Sequence, residues 1–306
     1  MLIVTSFISV GVAAKPSAST IMSLYESTQN TLATLDDKSA YRIFEGSLVL
    51  SELASQESLR FKYRLYQSKT PINRLIVLTP NIEGVTILER RLAHRLAKEG
   101  FHVLVPFARA EQFPFDEETS AKIERTFERA MAASLYMIEE IKSAVAFDSE
   151  QMGLAGASQG GIRSATLYGL DHRFKAIFIA VAGADLPSLY VETEIDQLVE
   201  FREAHMEGMD IVNLNEYEDY LRKTLRLDPF LIIENPRLDG IAMIIAQEDD
   251  IVPTSNQWKL WSAIKNAGVH PKTFIKDVTH VTGALMLIRY EGVMIPWFLE
   301  KLNTRP

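Results

Sequence analysis

Met152-Gly153-Leu154-Ala155-Gly156-Ala157-Ser158-Gln159-Gly160-Gly161 decides how this chain is read. A short, small, apolar run ends in Gly-x-Ser-x-Gly, and Gly160 to Leu170 then reads as a helix. Strand, turn and helix in that order give the five-residue pattern its chemical meaning. A serine hydroxyl is a weak nucleophile and must be held out toward a base on a sharp turn. Such a turn crowds the residues two before and two after the serine, and glycine at 156 and 160 relieves the crowding. The helix that follows aims its positive end where a reacting carbonyl gains negative charge. The alternative is a glycine-rich turn with an incidental serine.

Working outward, the flanks support a layered sheet. Leu75-Ile76-Val77-Leu78, Phe101-His102-Val103-Leu104-Val105 and Ala176-Ile177-Phe178-Ile179-Ala180-Val181 are continuous apolar runs, as strands covered on both faces require. Helical patterns separate them, from Leu88 to Leu96 and from about Glu117 to Ala144. Strands alternating with helices predict βαβ units and a mostly parallel sheet. Before them, Ser47–Ser51 and Leu59–Tyr66 predict an antiparallel hairpin, the second strand alternating basic or polar with apolar residues. Residues 15–45 are Ser/Thr-rich and are read as a helical lead-in. From Leu186 to about Arg226 the alternation stops; an acidic, helix-patterned stretch predicts a cap of two or so helices. Strands resume at Ile241–Ile245 and Thr273–Ile275, and a helix from about Thr282 to Leu302 closes the domain, which spans 46–306.

The chain has 306 residues, 47% hydrophobic, enough for a large core. Its net charge of −8 disfavours nucleic acid as a partner. Without cysteine, disulfides, thiolate zinc sites and a cysteine nucleophile are excluded. Met1 to Ala14 is a short apolar run ending in small residues, followed by Lys15-Pro16, and resembles a secretory leader, although no Lys or Arg precedes it. It implies export to the periplasm or medium; a cytoplasmic location is the alternative. No segment approaches ~18 consecutive apolar residues, so no stable membrane span is expected in the mature chain.

A nucleophilic serine needs a base, and the base an orienting acid. In an open parallel sheet both must come from loops beyond the carboxyl ends of strands. Of six histidines, His94 lies within a helix, His205 on the cap, and His102, His172 and His270 at or before strand starts. His280 alone follows a parallel strand's carboxyl end, so it is the candidate base. The strand Ile241–Ile245 runs into Glu248-Asp249-Asp250, three acids that are either a solvated turn or the source of the orienting carboxylate.

On these residues the chain resembles the α/β-hydrolase superfamily from about Gly46 to Leu302. The resemblance implies that fold: a mostly parallel sheet, an N-terminal antiparallel hairpin, helices on both faces and a small helical cap insertion about 186–226. Members often end the penultimate strand in Asp-x-x-Val-Pro, and Asp249-Asp250-Ile251-Val252-Pro253 selects Asp249 as the acid. The order Ser158, Asp249, His280 is the one expected there. Leu227-Asp228-Pro229 resembles a segment of dienelactone-hydrolase-like and prolyl-oligopeptidase-like members. The resemblance implies an oxyanion hole from the N–H of Gln159 and a donor in Thr79-Pro80-Asn81-Ile82-Glu83-Gly84, by position Ile82. Pro80 has no N–H and cannot serve. The common Gly before the histidine and His-Gly in the oxyanion loop are missing here.

The expected activity is cleavage of a small-molecule carboxylic ester through an acyl-enzyme, the cap walling the pocket, with no cofactor implied. Motifs for phosphate loops, zinc peptidases and dinucleotide sites are missing. A peptidase on the same residues, a non-catalytic binding protein of this fold and an envelope protein anchored by its N-terminal run are the alternatives.

Overall fold

A computed structural model describes residues 16–81, 84–107, 119–233 and 240–303. A short helix α1 (Ala18–Met22) precedes β1 (Tyr25–Asp37), β2 (Tyr41–Glu52) and β3 (Ser58–Ser68). Then come β4 (Leu75–Thr79), α2 (Ile87–Lys98), β5 (His102–Phe107), α3 (Thr119–Ile141), β6 (Met152–Ala157), α4 (Gln159–Leu170) and β7 (Phe174–Ala180). Three helices follow, α5 (Leu186–Glu192), α6 (Asp196–Gly208) and α7 (Leu214–Thr224). The chain finishes with α8 (Pro229–Ile232), β8 (Ile241–Ala246), α9 (Thr254–Asn266), β9 (Lys272–Lys276), α10 (His280–Arg289) and α11 (Glu291–Asn303).

The described strands form one sheet in the order β1-β2-β3-β5-β4-β6-β7-β8-β9. Pairing is antiparallel from β1 to β5 and parallel from β5 through β4 to β9. The apolar runs explain the layering, because successive side chains of a strand point to opposite faces. Leu75 and Val77 join Leu104, Leu154 and Ile177 in the core that includes Met131, Leu135 and Ile138 of α3. Ile76 and Leu78 join Val103, Val105 and Phe178 in the core on the other face, with Leu92 and Leu96 of α2 and Phe298 of α11.

Two sequence expectations change. The lead-in over 15–45 is helical only at Ala18–Met22; Tyr25–Asp37 is a strand paired with β2. That strand is mostly exposed and polar on both faces, so no alternation marks it, and two register shifts interrupt its pairing. The closing helix is two helices, broken at Tyr290, whose N–H bonds Met286 while its carbonyl receives the N–H groups of Val293 and Met294. The run 1–14, read as a leader, lies outside the described residues.

Asp228 of the Leu227-Asp228-Pro229 segment is buried and accepts the N–H groups of Asp185, Leu186 and Phe230, tying the start of α5 to α8. Burial outweighs those bonds and pushes its carboxyl up to about 6.

Candidate active site

Ser158 stands between β6 and α4 with φ 55° and ψ −130°. A non-glycine residue in that region is strained and persists only where its surroundings hold it. Its N–H bonds Ala180 of β7 and its carbonyl accepts the Ile162 N–H, so the turn is pinned on both sides. The flanking glycines are required by contact. A Cβ at 156 would lie 2.5 Å from the Thr79 hydroxyl oxygen, and one at 160 would lie 2.2 Å from the Thr79 carbonyl oxygen. The Thr79 hydroxyl sits 2.5 Å from the Gly160 carbonyl and 2.5 Å from the Ser164 hydroxyl, fastening the end of β4 to the start of α4.

His280 opens α10, just beyond β9. Its Nε2 lies 2.9 Å from Ser158 Oγ, and its Nδ1 lies 2.8 Å from Asp249 Oδ2 and 3.0 Å from Oδ1. A proton on Nδ1, donated to the carboxylate, leaves Nε2 as the acceptor for the serine hydroxyl. Gly283 allows this placement, since a Cβ there would come within 2.5 Å of Val181 Cγ1. Helix α10 thereby settles onto the ends of β7 and β8.

Asp249 follows β8 and is buried; Asp250 beside it is exposed. Asp249 Oδ1 accepts the N–H groups of Ile251 and Val252, each at 3.0 Å, and Oδ2 accepts Gln257 Nε2 at 2.8 Å. A carboxylate fully engaged in this way is held in one orientation before any substrate arrives. Gln257, wholly buried on α9, also receives the Ala246 N–H and donates to the Val252 carbonyl. It was not singled out from the sequence. Its signal was a polar residue one turn into a helix following Val252-Pro253, and α9 itself was not anticipated.

Gln159 is the first residue of α4, where the helical N–H groups have no intrahelical acceptor. Ile82 lies outside the described residues. Asn81, just before it, lines a cavity of about 380 Å³ that opens onto Ser158 and His280. Ile162, Phe127, Leu186, Leu189, Ile195 and Leu198 form part of its apolar wall, so α5 and α6 cover one side. Another depression, about 500 Å³, lies over Arg90, Arg91, Arg95 and Lys98 on the outer face of α2 and has no serine or threonine among its described lining residues. Among the described residues no group of three or more His, Asp or Glu could hold a metal ion, and no helix is long and apolar enough to cross a membrane.

The arrangement can pass a proton from a hydroxyl to an imidazole beside an apolar cavity, at the positive end of a helix. The sequence profile of the prolyl oligopeptidase family matches residues 119–303, more than half of the chain. The chain belongs to the prolyl oligopeptidase family. It is a serine hydrolase on an α/β-hydrolase fold. A search of curated proteins by sequence found no match. Among solved structures, this family member is similar to an acetyl xylan esterase from Paenibacillus sp. R4, with TM-score 0.66 and 14% identity over 93% of this chain and 92% of that one. An acetyl xylan esterase from a Thermoanaerobacterium species follows at TM-score 0.59 and 15% identity, over 95% and 96% of the two chains. The acylaminoacyl peptidase of Pyrococcus horikoshii superposes with TM-score 0.58 and 14% identity over 87% of this chain but 49% of that one. This chain thus spans about half the length of that peptidase.

Proposed function

We propose that this protein hydrolyses carboxylic esters of small molecules through a Ser158–His280–Asp249 triad. The observation that carries the reading is the 2.9 Å approach of His280 Nε2 to Ser158 Oγ on a strained turn facing the cavity. Ser158 Oγ attacks the ester carbonyl carbon while its proton moves to His280 Nε2. The oxyanion is held by the Gln159 N–H and, from the loop after β4, by Ile82. The C–O bond to the leaving group breaks, and His280 returns the proton to the departing oxygen. Water then attacks the acyl-enzyme, giving up a proton to His280, and the acid leaves as serine is restored. Asp249 orients the imidazole and stabilises the imidazolium as it forms.

An ester is favoured over a peptide for two reasons. Among the described residues lining the cavity there is no Asp or Glu to pair with a peptide's amino terminus. The acetyl xylan esterases also correspond to this chain over almost their whole length, whereas the acylaminoacyl peptidase is twice as long. The family's peptidase name supports the second reading, cleavage of an amide on the same residues. Matched aryl ester and anilide substrates separate the two, and the ester is expected to turn over faster. Export is proposed from the Met1–Ala14 run alone; the N-terminal mass of the purified protein tests it.

Ser158→Ala should lower turnover of a 4-nitrophenyl ester by at least ~10³-fold while leaving the thermal midpoint in place. A fluorophosphonate should label the parent protein at Ser158. Retained hydrolysis in the variant, or labelling elsewhere, defeats the assignment.

A further inference from the structure

Arg163 lies on α4 five residues beyond Ser158 and is only 4% exposed. Its Nε and Nη1 have no hydrogen-bond partner among the described residues, and no described carboxylate pairs with it. A guanidinium taken out of water without a counter-charge is costly, and proteins almost always pair it. Its nearest compensation is the Phe127 ring, whose centroid lies 6.0 Å from Cζ. Burial lowers its pKa to about 10, so it keeps its charge at neutral pH.

Phe127 and Tyr190 both line the cavity that opens on Ser158. Arg163 interacts electrostatically with Tyr190, whose hydroxyl is pushed up to about 12 by burial and therefore stays a proton donor. Arg163 is not itself a lining residue; its guanidinium lies behind the Phe127 ring, unmatched by any described carboxylate, in surroundings where a field is weakly screened. A neutral ester makes no use of that charge. An anion does.

We infer that Arg163, with the Tyr190 hydroxyl, forms an anion-recognising floor in this cavity, selecting esters whose inserted group ends in a carboxylate, such as half-esters of dicarboxylic acids. Along α4, five residues advance roughly 7–8 Å, so the carboxylate sits several bonds from the ester carbonyl. The inference deepens the esterase reading and rests on Ser158 marking the reacting end of the cavity.

Two measurements test it. In the first, kcat/KM is compared for monoethyl and diethyl esters of glutaric, adipic and suberic acid. The half-ester to diester ratio should fall by about 10- to 100-fold in Arg163→Met, the effect of removing a weakly screened opposite charge. Arg163→Lys should recover part of the ratio, and Tyr190→Phe should lower it by less. A purely structural Arg163 stacked on Phe127 would change stability and leave the ratio alone; an unchanged ratio in a folded Arg163→Met protein overturns the inference.

In the second, Ser158→Ala protein is titrated calorimetrically with monoethyl and diethyl adipate. Tighter binding of the half-ester supports the subsite even if Ser158 proves not to be the nucleophile. Equal binding, or tighter binding of the diester, overturns it whatever Ser158 does. This second measurement also decides the matter if the Arg163 variants do not fold.

Discussion

Arg129 and Arg163 are both buried, at 6% and 4% exposure, and their surroundings could hardly differ more. Arg129, on α3, donates to Glu52 at 2.9 Å and to Glu57 at 2.5 Å, which joins that helix to the end of β2 and the turn before β3. Arg163, on α4, meets an aromatic ring and, among the described residues, no acid. In the antiparallel half of the molecule buried charge is matched and serves cohesion. In the parallel half one carboxylate, Asp249, is engaged by four donors and holds His280, while the Arg163 cation behind Phe127 is matched by no described carboxylate. Buried charge in the antiparallel half thus serves the fold, whereas the charge of Arg163 is open to the substrate carboxylate we infer.

The contrast breaks if removing charge from the two halves has the same consequence. Asp249→Asn should lower kcat/KM on an aryl ester by about 10⁴-fold, with the protein folded by circular dichroism. Arg129→Met should do the opposite. It leaves Glu52 buried without its cation, and should cost about 3–5 kcal/mol in urea unfolding, with kcat/KM intact below the unfolding midpoint. An Arg129 variant of full stability would show that the pair is merely tolerated.

Much of this division was legible in the sequence. Gly156-Ala157-Ser158-Gln159-Gly160 after an apolar strand marks the turn, and strand-end placement leaves His280 and the acids after β8 as the groups that can reach Ser158. The structure brings Ser158, His280 and Asp249 into one hydrogen-bonded line. Other features leave no local trace. Tyr25–Asp37 is held by pairing with β2 rather than by a buried face, so its polar residues carry no period. Gln257 matters through the Asp249 carboxylate, brought to it by the fold of the loop between β8 and α9. Arg163 in Gly160-Gly161-Ile162-Arg163 looks like any helical surface arginine. Only the packing of α3 and α5 over it, through Phe127 and Tyr190, encloses it.

A half-buried carboxylate sharpens the comparison. Glu124 of α3 accepts the Leu227 N–H at 2.9 Å; burial pushes its carboxyl up to about 7, outweighing the backbone bonds from Arg226 and Leu227 and the attraction of the Arg226 charge. From its ordinary value of 4.5 to about 7 the native state holds a proton that the unfolded chain has lost. Its contribution to stability is therefore full below about pH 4.5 and declines as pH rises through 7, by about 3 kcal/mol. Glu124→Gln should remove most of that decline, leaving the smaller slope from Asp228. Urea unfolding at pH 5 and pH 8 measures it, and parallel curves for variant and parent would place Glu124 among the matched charges instead.

The smallest effect concerns Glu89, a buried carboxylate at the cavity's edge that is fully served locally. It accepts the Thr86 N–H at 2.7 Å and faces the Thr86 hydroxyl at 2.6 Å, while Thr86 Oγ1 lies 3.2 Å from the Leu88 N–H, a reciprocal cap on α2. Thr86→Ala keeps the backbone bond to Glu89 and loses the two made by the hydroxyl. The cost should be about 1 kcal/mol, within the ~0.5–2 range for such caps. Because Glu89 retains its backbone partner, the loss should stay far below that of Arg129→Met. A loss approaching the Arg129 value would mean that Glu89 depends on the hydroxyl as Glu52 depends on its arginine, and that matched charge holds the cavity's rim as firmly as it holds the antiparallel half.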